Sequence, residues 1–581
     1  MIKVQNLAYS FPQKDLFADV TFTIEEGVHC VLFGTNGTGK STLLHILREP
    51  ELYMYTGTIE QENGGSVGYV SQMIPEISEN TTTVMTYLSE NFVRIQDKLN
   101  AYYTLMETAE DLTTVLEEYQ LVLDEWTAVD GDSFESNILK QLNLANLSKL
   151  KDQAISSLSS GEFKLIQIIK EMLSNPKLLF MDEPDVFLDF EHLNSLRTLL
   201  NTHKGTLLVI THNRYLLNHC FNKIIHMENQ RVNEFNGNYI SYNFELLSRK
   251  VELAEIAAKE QAEIDRQQKI VENARERATQ MFSASLGKTV HARQKIVDRL
   301  TARKTTEPFV DISQPDIKFS VAHEMQDEVI LELQNYNLTF DEQLLDAVNI
   351  TLLSGHHVAI VGRNGTGKTS LLLDIWRNEK ESIQILPGIE VGLFTSKNEL
   401  MSSPEKTVYE LFEQDGLYPR ELAISYLESY GFESDLLGQT FSELSGGEKD
   451  LLQLALLARQ KKDFLLLDEP TGHLDIYAQI ALEQAVQEYK GTILMVSHDY
   501  YTVANCVDYV LLIEQGTIRK ISARKFRQMI YANHFDKDYL LLEQEKKTKE
   551  TQVLQLLQKA EFDKARAVLA SLEHIIQNMG M

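Results

Sequence analysis

The feature that most constrains this chain is a repeat. The glycine-rich stretch GTNGTGKST at Gly34–Thr42 returns as GRNGTGKTS at Gly362–Ser370, and the motifs that follow it return in the same order. From Ser159 to Glu183 is 24 residues, as it is from Ser445 to Glu469; from Glu183 to His212 is 29, as it is from Glu469 to His498. Matched spacing over this length requires two copies of one fold rather than two coincident turns. Between loop lysine and glutamate, however, the first copy spends 143 residues and the second 101. The excess includes Asp97–Trp126, where Leu99, Tyr102, Tyr103, Leu105, Met106, Leu112, Val115, Leu116 and Tyr119 recur at helical spacing. A helical arm over about 90–130 is expected there.

Each glycine-rich stretch follows a short apolar run, HCVLFG or HHVAIVG, so the expected local structure is strand, tight loop, helix. That arrangement suits phosphate. Glycines let backbone N–H groups converge on the anion, and the helix N-terminus adds its positive dipole end. Gly34, Thr35, Asn36, Gly37, Thr38, Gly39, Lys40, Ser41 and Thr42 form the first candidate cradle. Gly362, Arg363, Asn364, Gly365, Thr366, Gly367, Lys368, Thr369 and Ser370 form the second. Lys40 and Lys368 are placed to meet β and γ phosphates, and the Ser41 and Thr369 hydroxyls to meet Mg2+. KLLFMDEP and FLLLDEP then read as buried strands running into two acids. Such acids are costly without a cation or donors, so Asp182 and Asp468 are candidate magnesium ligands and Glu183 and Glu469 candidate polarisers of an attacking water. His212 and His498 close a further strand each, as candidate γ-phosphate sensors.

LSSGE at Leu158–Glu162 and LSGGE at Leu444–Glu448, 24 residues ahead of the acidic pairs, complete a pattern that resembles the ATP-binding-cassette superfamily. The resemblance implies an α/β fold with two P-loop ABC ATPase cassettes meeting head to tail. Lys40 and Glu183 would share one ATP with Ser445 and Gly447, and Lys368 and Glu469 the other with Ser159 and Gly161. It also gives Asp189 and Asp475 as interface residues and Gln72, in GYVSQ, as a glutamine-loop residue. Phe11 and Phe340 are candidates to stack on adenine, with core packing as the rival reading. Two departures suggest unequal sites. Ser160 replaces a glycine, and the second-half stretch GLFTSKN offers Ser396 and Lys397 in place of a glutamine.

The segment between the copies narrows the choice of function. From Asn238 to Leu286 there is neither glycine nor proline, and Leu253, Ala257, Glu260, Ile264, Gln267, Val271, Ala274 and Ala278 follow alternating steps of four and three. That is a narrow seam for one long helix. A shorter helix over about Val290–Lys304 returns, giving an antiparallel hairpin with its tip at Gln280–Lys288. From Arg266 to Lys304 ten basic residues face three acidic ones, inside a chain of net charge -29. So strong an overall negative charge repels nucleic acid, and only a local basic surface of this kind can meet a phosphate backbone. Met281, Phe282, Lys288, Arg293, Lys295 and Arg299 are the candidate RNA and ribosome contacts.

Taken whole, residues 1–540 resemble the ABC-F ATPases, with two cassettes, a first-domain arm and an α-helical hairpin linker. The resemblance implies binding to the 70S ribosome, rRNA and P-site tRNA near the peptidyl-transferase centre, with either antibiotic protection or housekeeping control of translation as the role. The other reading is a double-cassette subunit of a membrane transporter. The expected domains are 1–241, 242–325 (linker), 326–540 and 541–581, the last a charged extension read as a solvated helix or a second RNA contact. Cys30, Cys220 and Cys506 fit neither zinc nor a disulfide framework, and no run of about 18 apolar residues occurs. A cytoplasmic monomer with an intramolecular cassette dimer is expected.

Overall fold

The computed structural model describes residues 1–11, 14–61, 67–73, 82–107, 111–281, 290–291, 294–295, 297–299, 301, 314–323, 325, 327–340, 343–395, 405–417, 419–432, 434–534 and 539–579. The chain divides into two compact units. One joins Met1–Asn236 to Ser313–Met529, and the other joins Gly237–Ile312 to Ile530–Met581.

The first unit holds both repeats. In the N-terminal cassette a six-stranded sheet runs in the order Val67–Val70, Leu178–Asp182, Thr206–Ile210, His29–Phe33, Lys223–Glu228, Arg231–Asn236, all parallel except the last. Leu178–Asp182 and Thr206–Ile210 are buried at every position, as expected of unbroken apolar runs covered on both faces. A three-stranded antiparallel sheet of Lys14–Ile24, Ile2–Phe11 and Thr56–Gln61 packs its apolar residues, among them Val4, Leu7, Phe17 and Phe22, against this core. The C-terminal cassette repeats the plan, with a mixed sheet ordered Val391–Thr395, Phe464–Asp468, Thr492–Val496, His357–Val361, Tyr509–Glu514, Thr517–Ser522. In both, the glycine-rich loop leaves the strand between the histidine-bearing strand and its other neighbour, so loop, acids and histidine emerge at one sheet edge. The extra residues of the first copy form two packed helices, Val84–Met106 and Leu112–Ala128. Trp126 anchors their base, its indole Nε1 donating to Asp132 at 2.9 Å.

In the second unit one helix runs Tyr239–Met281, 43 residues, or about 64 Å at 1.5 Å per residue. Ile264 and Val271 are buried together with Val297, and Val290 packs against them. Arg275 donates to Gln294 at 3.1 Å. These contacts are those of a chain that turns back on itself. Lys295 and Arg299 are exposed, Met281 ends the helix, and Phe282, Lys288 and Arg293 lie outside the described residues. The C-terminal extension differs from a single solvated helix. It forms two helices, Tyr539–Gln558 and Phe562–Asn578, packed on each other and on the long helix. Ala565, Leu569, Leu572 and Ile576 lie at helical spacing and are buried, and that stripe is what its mixed charge concealed.

Candidate functional site

Each glycine-rich loop is built for close approach. Gly39 and Gly367 hold left-handed conformations (φ 93° and 86°) immediately before the helices Lys40–Arg48 and Lys368–Arg377. A side chain there would also strike Leu16 or Leu338. The Lys40 ammonium donates to the carbonyls of Gly34 (3.0 Å) and Thr35 (2.8 Å), and Lys368 to those of Gly362 and Arg363 (both 2.9 Å). The Thr38 and Thr366 hydroxyls tie each loop internally at 2.9 Å. Burial lowers the pKa of both lysines, so an anion in the cradle would be a favourable neighbour for each. The Thr369 hydroxyl donates to Asp468 at 3.0 Å, and Ser41 is hydrogen-bonded to Asp182. Thr42 and Ser370 follow on the same helices.

The acids that end the sheet strands sit in strained backbone. Glu183 and Glu469 have φ of 45° and 48°, a left-handed geometry unusual for glutamate, held by amide bonds to Ile210 and Val496 at 2.9 Å. Burial pushes both carboxyls up to about 7, within the range where a general base works, with Asp185 and Asp182 adding to the rise at Glu183. The two glutamates are held differently. Gln72 Nε2 donates to Glu183 at 2.6 Å, whereas Glu469 accepts the His498 amide at 3.0 Å and lies 3.4 Å from His498 Nε2. His212 is buried with neither ring nitrogen hydrogen-bonded, and burial drives its pKa well down. It is a neutral imidazole aimed at the same sheet edge.

The two cassettes face each other in opposite senses. Ser159 and Ser445 each cap a helix in a reciprocal capping box with Glu162 or Glu448. The S-x-x-E spacing in LSSGE and LSGGE carries that signal. Behind each cap a glycine admits the other cassette's loop. A Cβ on Gly447 would stand 2.1 Å from Asn36 Nδ2, and one on Gly161 would stand 3.1 Å from Asn364 Nδ2. Both asparagines clamp the opposing cassette with the same pair of bonds. Asn36 donates its amide to Asp475 (3.2 Å) and its side chain to the His473 carbonyl (3.0 Å). Asn364 donates likewise to Asp189 (3.2 Å) and Phe187 (2.7 Å). The structure therefore brings Gly34–Thr42 together with Ser445 and Gly447, and Gly362–Ser370 together with Ser159 and Gly161. A cavity of about 790 Å³ opens at the second junction, lined by Ser159, Ser160, Phe340, Lys368, Glu469 and His498. Phe11 and Phe340 are 48% and 63% exposed, so neither is a core residue.

Sequence reasoning passed over several residues of this interface. An offset of 286 residues superimposes the second halves of the repeats, and it exposes unlike pairs: Lys164 with Asp450, His192 with Ala478, Arg214 with Tyr500. His192 Nδ1 lies 2.9 Å from Asp189 Oδ1, a contact that Ala478 cannot offer Asp475. Ser396 and Lys397, which stand where the second glutamine loop is sought, lie outside the described residues.

An ABC transporter family model matches residues 17–186 and 345–472, more than half of the chain, and a second model described as ABC transporter matches 225–319, between the cassettes. The chain belongs to the ABC transporter family. It is an ATPase of the tandem-cassette type, and the ABC-F resemblance agrees with its relatives. ABC transporter F family member 2 of Arabidopsis thaliana is 28% identical over 528 residues, covering 89% of this chain and 76% of that one. The putative ATP-binding protein YdiF of Bacillus subtilis is 27% identical over 580 residues, 98% of this chain and 86% of that one. Among solved structures, the archaeal ribosome recycling factor aABCE1, in complex with the ribosomal stalk protein aP1, aligns with a TM-score of 0.52 at 18% identity. That alignment covers 91% of this chain and 92% of the other, and it speaks to the fold. Among the described residues no helix is long and apolar enough to cross a membrane.

Proposed function

We propose that this ATPase closes its two cassettes on a pair of ATP molecules, binds the ribosome in that closed state and leaves after hydrolysis. The observation that carries the reading is the pairing of a two-way clamp with an interdomain segment, Arg266–Lys304, in which ten basic residues face three acidic ones. A clamp that ATP closes can change the pose of whatever is joined to it, and the basic segment suits an RNA backbone. Lys40 and Lys368 hold β and γ phosphates, and the signature serines and glycines of the opposing cassette complete each site. Ser41 with Asp182, and Thr369 with Asp468, present hard oxygen donors already within hydrogen-bonding reach of each other. Those pairs would hold Mg2+, which neutralises charge on the phosphates. Glu183 and Glu469 polarise the attacking water, with His212 and His498 beside the γ-phosphate. Asp189 and Asp475 position the opposing loops.

The basic face carrying Lys295 and Arg299 contacts rRNA, and the tip with Met281 and Phe282 approaches the P-site tRNA and the peptidyl-transferase centre from the cytoplasm. Protection from ribosome-targeting antibiotics is the role this tip suits, since bulky apolar groups there can disturb a drug site. Met281→Ala with Phe282→Ala then lowers drug protection in cells while ATP binding persists; unchanged protection leaves housekeeping control of translation as the role.

The deciding experiment is co-sedimentation of the Glu183→Gln, Glu469→Gln protein with 70S ribosomes, with and without ATP. Comigration that requires ATP is expected, because the water loses its polarising group while the phosphate contacts remain. ATP-binding protein that fails to comigrate would turn attention to a membrane partner.

A further inference from the structure

A fully buried lysine stands in the first cassette outside every role assigned above. Lys164 lies in the helix Ser160–Leu173, five residues beyond the capping serine, and its side chain is 0% exposed. A lysine so placed must be paired, since an ammonium removed from water without partners costs several kcal/mol. Its Nζ donates to the carbonyls of Ser71 (2.5 Å) and Gln72 (3.1 Å). Gln72 in turn donates to Glu183 at 2.6 Å. Asp185, Asp182 and Glu183 supply counter-charge, and Asp185 is itself held by the Thr211 hydroxyl at 2.6 Å. The start of this helix serves the Lys368 site, yet the ammonium reaches the residues of the Lys40 site. In the second cassette the corresponding residue is Asp450, buried, with one carboxylate oxygen lacking a hydrogen bond, and Thr471 replaces Asp185. The connection is therefore built into one half.

We propose that Lys164 is a positioning residue for hydrolysis at the Lys40 site, fixing the Gln72 loop so that its amide holds Glu183 toward the water, and that it links this site to the signature helix facing the other. The proposal rests on the assignment of Glu183 above. It assigns the lysine to the site on the far side of its own helix, which proximity in sequence to Ser159 and Gly161 would not suggest. Burial alone pushes the ammonium down to about 8, against the pull of the three carboxylates, so the pairing persists at neutral pH.

The test is steady-state ATP hydrolysis by the full chain in two backgrounds. Glu469→Gln leaves the Lys40 site to turn over, and Glu183→Gln leaves the Lys368 site. Lys164→Met keeps the apolar stem and removes the charge. In the Glu469→Gln background kcat falls about tenfold with KM for ATP within about twofold, the pattern of lost alignment rather than lost binding. In the Glu183→Gln background it changes less than about twofold. Equal losses in the two backgrounds, or a larger one in the second, would overturn the proposal. Gln72→Ala gives the same deficit and adds nothing to Lys164→Met, because both break one connection; additive losses would show that the lysine acts by another route. Hydrogen exchange supplies a readout free of turnover. The peptide carrying residues 67–73 exchanges faster in Lys164→Met while that carrying 391–395 does not, and unchanged exchange at 67–73 counts against the anchoring. Should Glu183→Gln alone leave total hydrolysis intact, the assignment of Glu183 fails, while exchange still decides the anchoring.

Discussion

Replacing Arg214 by Met tests what holds the cassettes together when no ATP bridges them. Arg214 follows His212 by two residues and crosses to the other cassette, where Nη2 pairs with Glu483 and, at 3.2 Å, with Asp499. Its guanidinium also lies 4.6 Å from the centre of the Tyr501 ring. The three charged side chains are 12%, 2% and 17% exposed, so this is a buried cluster rather than a surface pair. Removing one partner of a buried ion pair typically costs about 3–5 kcal/mol, because the other charge stays behind. Here the Thr502 hydroxyl keeps donating to Glu483 (3.3 Å) and Asp499 (3.1 Å), and Asp499 reaches some water. The cost expected is therefore about 2–3 kcal/mol, and it falls on the junction between cassettes rather than on either core. That corresponds to a shift of roughly 30- to 150-fold in the closed-to-open ratio. Cys30, Cys220 and Cys506 are all buried, so one engineered surface cysteine per cassette can be labelled selectively. Distances between the labels, without nucleotide, should lengthen in Arg214→Met and recover in part when Glu483→Leu is added, since the apolar pair leaves no buried charge. An unchanged distance distribution, or a double variant more open than the single one, would refute the reasoning.

Other outcomes follow from the same geometry. Gly447→Ala must push aside Asn36 and the His473 carbonyl, 2.1 and 2.6 Å from the new methyl, whereas Gly161→Ala meets its nearest neighbour at 2.9 Å. The first variant should lose about tenfold more kcat/KM for ATP than the second, and equal losses would count against the closed clamp as drawn. Asp450 is buried, and burial raises its carboxyl to about 7. The folded chain thus binds this proton more tightly than the unfolded one, so the group's contribution to stability is full below about 4 and lost as pH rises through about 7. Asp450→Asn should accordingly raise the unfolding midpoint more at pH 8 than at pH 5, measured by thermal denaturation; a pH-independent shift would remove the burial argument.

Much of the site was legible in the sequence because phosphate chemistry leaves little freedom. A cradle of backbone N–H groups needs glycine at Gly37 and Gly39, and a strand ending in acids needs the apolar run before Asp182. Both signals are local. Spacing then supplied what locality could not, since equal separations in two halves identify equivalent residues whatever their surroundings. The C-terminal helices were less legible because their buried stripe is interrupted by charge, and a mixed composition resembles a solvated helix until the long helix is seen to cover it. Lys164 and Arg214 escaped for a different reason. Each is an ordinary basic residue in a helix, and what makes it informative is a partner 93 or 269 residues away.

Setting the halves against each other residue by residue separates what the clamp shares from what it does not. The Asn36 and Asn364 bonds agree within 0.3 Å, the two acids share one strained backbone, and both signature serines cap their helices in the same way. These contacts decide whether two surfaces can close, and closure fails if either half departs from them. Two differences lie one layer back. Lys164 stands against Asp450, and His192 against Ala478. A residue in that layer leaves the docking surface unchanged while altering how firmly Glu183 or Asp189 is held. Shape must therefore match across a duplicated clamp, whereas the electrostatics behind each site are free to diverge, as the first-half Lys164 and His192 show.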